Sequence, residues 1–235
     1  MRLLAIDTST SQMSVAVGDG TRVWEHSGEG GAQASSALIP TVQSLLREAG
    51  LALADLDAIA FGRGPGSFTG LRTACAVAQG LGFGAGVKLL PVDTLLAVAE
   101  EARARHGVQR VVAVIDARMD EVYAAAHDLA AFEAGGAVAA PLLHSPEAVQ
   151  VPEGWVIAGN ADAPYGARLA PAHASAVRLP ALPTAAAMLR LAPVLLARGE
   201  AVPAEQAMPA YIRDKVAQTT AEREAARATA AAAPR

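Results

Sequence analysis

Apolar and polar positions divide this chain into short runs of two periods. Leu3 to Ile6 is continuously apolar and stops at Asp7, which predicts a buried strand. Asp7-Thr8-Ser9-Thr10-Ser11-Gln12 follows as a turn of small polar side chains. Met13 to Val17 alternates as a strand does, and Gly18-Asp19-Gly20 marks a hairpin into Arg22-Val23-Trp24-Glu25, so three antiparallel strands open the chain. Gly28 to Gly31 reads as a flexible break. The period then changes: Leu38, Val42, Leu45, Leu46 and Ala49 recur at helical spacing from Ser35 to Ala49. Gly50 is placed to end that helix, and Pro40 falls near its first turns, where a missing N–H costs least. Leu56 to Phe61 predicts a fourth strand, Ser67 to Gly82 a helix and Val87 to Val92 a strand; a further helix starts at Asp93-Thr94 and ends near Arg105.

The pattern then restarts. Val111-Val112-Ala113-Val114-Ile115-Asp116 repeats Leu3-Leu4-Ala5-Ile6-Asp7 about 109 residues later. In both places an aspartate ends the run, a short polar turn follows, and a strand of small residues resumes: Ser14-Val15-Ala16-Val17 and Val122-Tyr123-Ala124-Ala125. Further on, Val156 to Asn160 predicts a strand, and Thr184 to Arg198 a helix with Thr184 as N-cap and Gly199 at its end. Thr219 to Arg235 is rich in Ala, Glu and Arg and reads as a fraying helix or a disordered tail. The chain divides accordingly into residues 1–105, 106–218 and a tail at 219–235. A duplicated module of strands with helical crossovers resembles the actin, Hsp70 and sugar-kinase superfamily, an α/β fold.

Composition narrows this reading. Hydrophobic residues make up 52% of 235 and aromatics only 4%, so two cores of aliphatic side chains are expected. The net charge is -4 and Lys88 and Lys215 are the only lysines, so the chain lacks the clustered cations that grip nucleic acid directly. The single cysteine, Cys75, excludes an intrachain disulfide or a multi-cysteine zinc site and fits a reducing compartment. Asp7 interrupts the first apolar run after four residues, too few for a signal-peptide core, and no run approaches a membrane span. A cytoplasmic protein without a membrane partner is expected.

The chemistry concentrates in Phe61-Gly62-Arg63-Gly64-Pro65-Gly66-Ser67-Phe68-Thr69-Gly70-Leu71-Arg72. A strand there meets a Gly/Pro turn and a helix capped by Ser67 or Thr69. Glycines free the backbone amides, and a helix N-terminus favours an anion. Gly64, Gly66 and Ser67 form either a phosphate cradle or a tight turn that binds nothing, and Asp7, Thr8 and Ser9 sit where a vestigial phosphate loop of an actin-like enzyme would belong. The loop has no P-loop lysine, and Ser67 lacks the paired glycines of a nucleophile elbow. Asp116 takes the place of Asp7 in the second half, but Ala117-Arg118-Met119-Asp120 is too bulky for close backbone approach to a phosphate. The histidines 26, 106, 127, 144 and 173 include no pair three or four apart, so there is no helical metal chelate and no metallopeptidase centre. Gly70, Ala74, Ala78 and Gly82 recur every four residues. Such a stripe admits close packing by a partner helix or by the chain's own sheet.

As a string, Gly62 to Arg72 resembles the hallmark of the TsaB family, formerly YeaZ. Leu4-Ala5-Ile6-Asp7-Thr8-Ser9-Thr10 and Pro209-Ala210-Tyr211-Ile212-Arg213-Asp214-Lys215-Val216-Ala217 are similar to that family's start and end; Ala130 to Pro203 carries no resemblance. The resemblance implies a two-domain actin-like subunit without catalytic residues. It would support TsaD, a paralogue that transfers threonylcarbamoyl to N6 of adenosine 37 in tRNAs reading codons that begin with A. It also implies a TsaE-like ATPase as a further partner, tRNA contacted only indirectly, and a homodimer when the subunit is alone. No cofactor or metal of its own is implied, although ATP or ADP at the subunit junction is compatible. The family meets TsaD through its first two helices, which points to Leu38, Val42, Leu45, Gly70, Ala74 and Ala78 as the interface. The alternative is an autonomous ATP-dependent enzyme, an ATPase or kinase of the sugar-kinase superfamily.

Overall fold

The computed structural model describes residues 1–31 and 33–213. Strands β1 (Leu3–Asp7), β2 (Gln12–Gly18) and β3 (Val23–Glu29) form an antiparallel meander. Helix α1 (Ala34–Ala49) leads to β4 (Ala58–Gly64), which joins β1 in parallel. Helix α2 (Phe68–Ala85) leads to β5 (Leu89–Asp93), parallel to β4, and α3 (Thr94–His106) follows. The first sheet runs β3-β2-β1-β4-β5.

The second half repeats the plan. Strands β6 (Arg110–Arg118) and β7 (Glu121–Asp128), the short helix α4 (Leu129–Glu133) and β8 (Leu142–His144) form its meander. Parallel strands β9 (Val156–Gly159) and β10 (Arg178–Pro180) flank α5 (Asp162–Tyr165), and α6 (Ala185–Ala197) follows. The order β10-β9-β6-β7-β8 is that of the first sheet under substitution of equivalent strands. The echo between Leu3–Asp7 and Val111–Asp116 is therefore a match between central strands of two copies, and the duplicated α/β plan is that of the actin and sugar-kinase superfamily.

Alternation along the central strands sorts the core into layers. Leu4, Ile6, Ile59 and Phe61 point outward beneath α1 and α2. Leu3, Ala5, Val111, Ala113 and Ile115 point inward, onto α3 and α6, which lie between the sheets. Val112, Val114 and Ile157 face a cover of loops that includes Val149, Val151 and Leu169. Both faces of the parallel strands are buried, so the central strands read as continuous apolar runs.

Between the sheets sits an ion network. The Glu100 side chain, 1% exposed, accepts from Arg190 (2.7 Å) and Arg103 (2.8 Å), while Glu101 accepts from Arg190 and Thr184 (both 2.8 Å). This ties α3 to α6. After α6 the chain returns to the first sheet, where Val202 bridges to Leu89 on the edge of β5.

Two local expectations change. Strand β3 runs through Gly28, which pairs with Met13, so the break begins later than the glycine cluster implied. Pro40 lies inside α1 rather than in its first turn. It is exposed there, where water can satisfy the carbonyl it leaves without a helix bond. Thr219–Arg235 lies outside the described residues. Among the described residues, no helix is long and apolar enough to cross a membrane.

Candidate functional site

The turn after β1 and the loop before α2 meet at the C-terminal ends of the parallel strands, where α/β sheets bind ligands. Asp7 is fully buried, and its Oδ1 accepts the N–H (3.0 Å) and O–H (2.8 Å) of Ser9. Its Oδ2 has no partner among the described residues, and a Cβ added to Gly62 would fall 1.9 Å from it. Burial pushes the Asp7 carboxyl up to about 6, and the Ser9 bonds offset this only in part.

Several further polar groups of the two loops bond within the site. The Thr8 hydroxyl donates to the Gly70 carbonyl (2.6 Å), and the Ser67 N–H donates to the Ser9 carbonyl (2.7 Å). Ser67 Oγ caps α2 by accepting from Gly70 N–H (3.5 Å). A Cβ would fall 2.5 Å from Ser9 O at Gly66 and 1.8 Å from Thr8 O at Gly70, so glycine is what lets the backbones touch. Asp7, Thr8, Ser9, Gly66 and Ser67 are thus brought together, with bonds from Ser9 to Asp7 and from Ser67 to Ser9. Gly64, with φ +123, belongs to the same loop and lies against Ala210.

Across a cleft of about 480 Å³ stands the β6–β7 turn. Asp116 accepts from Tyr165 O–H (2.9 Å) and Arg118 N–H (2.8 Å), and its own N–H donates to Asn160 Oδ1 (2.8 Å). Arg118, Met119 and Asp120 all hold positive φ. Among the described residues, no three His, Cys, Asp or Glu side chains cluster to hold a metal. Burial lowers the pKa of His127 to about 4, so it is neutral at physiological pH.

The expected interface residues require a correction. Leu38, Val42, Leu45, Ala74 and Ala78 are 0–5% exposed within the core beneath the first sheet. Gly70 is closed off by Thr8, and a Cβ at Gly82 would strike Leu89 at 2.7 Å. The small-residue stripe of α2 therefore packs on the chain's own sheet. The outward face of the same helices carries Ile39, 43% exposed, and Phe83, 80% exposed, with Ala76, Gly80 and Gly84. A Cβ at Gly80 or Gly84 would meet nothing within 4 Å. Phe83 was the available signal: a bulky ring in a helix of small residues, off the four-residue stripe.

The structure also joins two segments the sequence keeps far apart. Arg72 lies over the Phe68 ring at 3.8 Å and donates to Tyr211 Oη (2.9 Å), and the Phe68 and Tyr211 rings are 5.4 Å apart.

Comparison with known proteins agrees with this architecture. The family model described as "TsaD: tRNA N6-adenosine threonylcarbamoyltransferase" matches residues 29–226. The "tRNA threonylcarbamoyladenosine biosynthesis protein TsaB" of Escherichia coli K12 is 37% identical over 229 residues, covering 92% of this chain and 96% of that protein. The TsaB of Haemophilus influenzae is 44% identical over 126 residues, about half of each chain (52%). The solved structure "YeaZ from Pseudomonas aeruginosa" superposes with a TM-score of 0.80 at 43% identity, covering 89% of this chain and 99% of that one.

Proposed function

This chain belongs to the TsaB family of tRNA threonylcarbamoyladenosine biosynthesis proteins, and from that premise we propose that it is a non-catalytic scaffold holding a TsaD-type catalytic subunit. The observation that carries the reading is the outward face of α1 and α2. Phe83 projects from it at 80% exposure, beside bare Gly80 and Gly84, with Ile39 on the neighbouring helix. Such a surface, smooth and apolar around one ring, suits close helix packing by a partner and gives the ring a pocket to fill. The scaffold reading is supported from the other side by the turn and the glycine loop. Two of the amides a phosphate would use, Ser67 N–H and Gly70 N–H, are bonded within the site instead.

In this proposal the chain works in the cytoplasm and reaches tRNA through its catalytic partner. A TsaE-like ATPase joins the assembly, ATP or ADP sits at the subunit junction, and the same face closes a homodimer when no partner is present. The second reading, an autonomous ATP-dependent enzyme, is favoured by the cleft between two actin-like halves and opposed by the pairing of its loops.

The test is co-elution with a TsaD-type protein. Phe83→Asp and Gly80→Glu are expected to abolish the complex, while exposed positions of this kind change stability by only about 0.5 kcal/mol. Undiminished co-elution of both variants would refute the assignment.

A further inference from the structure

The segment from Val202 to Arg213 crosses from one sheet to the other and touches both rims of the cleft. Val202 exchanges two backbone bonds with Leu89 (2.8 and 2.9 Å), and the Ala207 carbonyl accepts from Gln79 (2.8 Å). Ala210 N–H donates to the Arg63 carbonyl (2.7 Å), and a Cβ at Gly64 would fall 2.6 Å from Ala210 O. Tyr211 is held by Phe68 and Arg72. All of these contacts lie on the first half.

Two residues later the strap changes sides. Arg213 Nη2 donates to the carbonyls of Ala117 (3.0 Å) and Arg118 (3.3 Å) and to the carboxylate of Glu121. The turn it grips is under strain. Arg118, Met119 and Asp120 have φ of 61°, 58° and 63°, three successive left-handed residues with no glycine among them. Such a conformation persists where its surroundings over-determine it. Its surroundings are Asp116, which accepts the Arg118 N–H (2.8 Å), and two arginines: Arg213, and Arg168, which holds both Asp120 carboxylate oxygens (2.8 and 2.7 Å). Arg168 belongs to the second half; among the described residues, Arg213 is the side chain that ties the turn to the strap lying on the first.

We infer that Val202–Arg213 is an interdomain latch. It ties the glycine loop to the β6–β7 turn, holds that turn left-handed and sets the width of the cleft, one wall of which is Ala210–Arg213. This holds whether or not the chain is a scaffold, since it concerns how the two halves are joined.

The test uses the full chain, with spin labels at exposed Glu48 and Glu153 to report the distance between halves. Hydrogen exchange of residues 117–121 reports the turn. Arg213→Ala is expected to speed that exchange about tenfold or more and to lengthen and broaden the label distance. Arg213→Lys is expected to resemble it, because lysine ends one bond short of the Nη2 position from which all three contacts are made. Arg168→Ala is expected to speed exchange in the turn but leave the label distance unchanged, and exchange in α1 and β2 should not move in any variant. The latch is overturned if Arg213→Ala leaves the distance unchanged. It is equally overturned if exchange rises alike in every element, or if Arg168→Ala shifts the distance as far as Arg213→Ala.

Discussion

Replacing Asp7 by Asn is expected to stabilise the protein, and by an amount that depends on pH. The carboxyl is fully buried, one of its oxygens has no partner among the described residues, and its pKa is pushed from 3.8 up to about 6. A raised folded-state pKa means that the native protein holds the proton more tightly than the unfolded chain does. Below about pH 3.8 the group is neutral in both states and costs nothing extra. As pH rises the unfolded chain ionises first, stability is lost, and above about pH 6 the loss is complete. The stabilisation by Asp7→Asn should therefore grow from about 1 kcal/mol at pH 4.5 to about 3 kcal/mol at pH 7. Asn keeps an oxygen for the two Ser9 bonds and removes the buried charge. Urea unfolding of both proteins at a series of pH values measures the difference directly, and other titrating groups cancel. A difference that does not change with pH, or a variant less stable at pH 7, would refute the reasoning.

Two further substitutions test the packing. Arg190→Ala removes one of two arginine partners from each of Glu100 and Glu101 between the sheets and is expected to cost about 1.5–3 kcal/mol by denaturant unfolding, since Arg103 and Arg105 remain on those carboxylates. Gly70→Ala should destabilise strongly or prevent folding, because its Cβ would fall 1.8 Å from the Thr8 carbonyl. Gly84→Ala, in open space on the same helix, should instead stabilise by up to about 1 kcal/mol. Equal thermal shifts for the two glycine variants would refute the account of the loops.

Much of the fold was legible in the sequence, because its central elements are continuous apolar runs or have a strong helical period. The run ending at Asp7 and its echo ending at Asp116 found the centres of both sheets, and Gly50 and Ser67 marked where helices stop and start. Strands β8 and β10 were not legible: each has three residues, and pairing with neighbours decides them rather than any local pattern. The site was half legible. Glycines and hydroxyls announced two close-fitting loops, but whether these meet a phosphate or each other depends on bonds such as Thr8 to Gly70, 62 residues apart. The small-residue stripe of α2 correctly signalled close packing, but spacing carries no information about what packs there. Its own sheet does.

The most direct test of the central claim is reconstitution. The purified chain is incubated with ATP, magnesium and tRNA, with and without a TsaD-type subunit and a source of threonylcarbamoyl-adenylate, and both ATP turnover and adenosine modification are followed. The account predicts neither reaction from the chain by itself, and modification that depends on its presence once the partner is added. Turnover or modification by this polypeptide unaided, or full activity of the partner without it, would contradict the account.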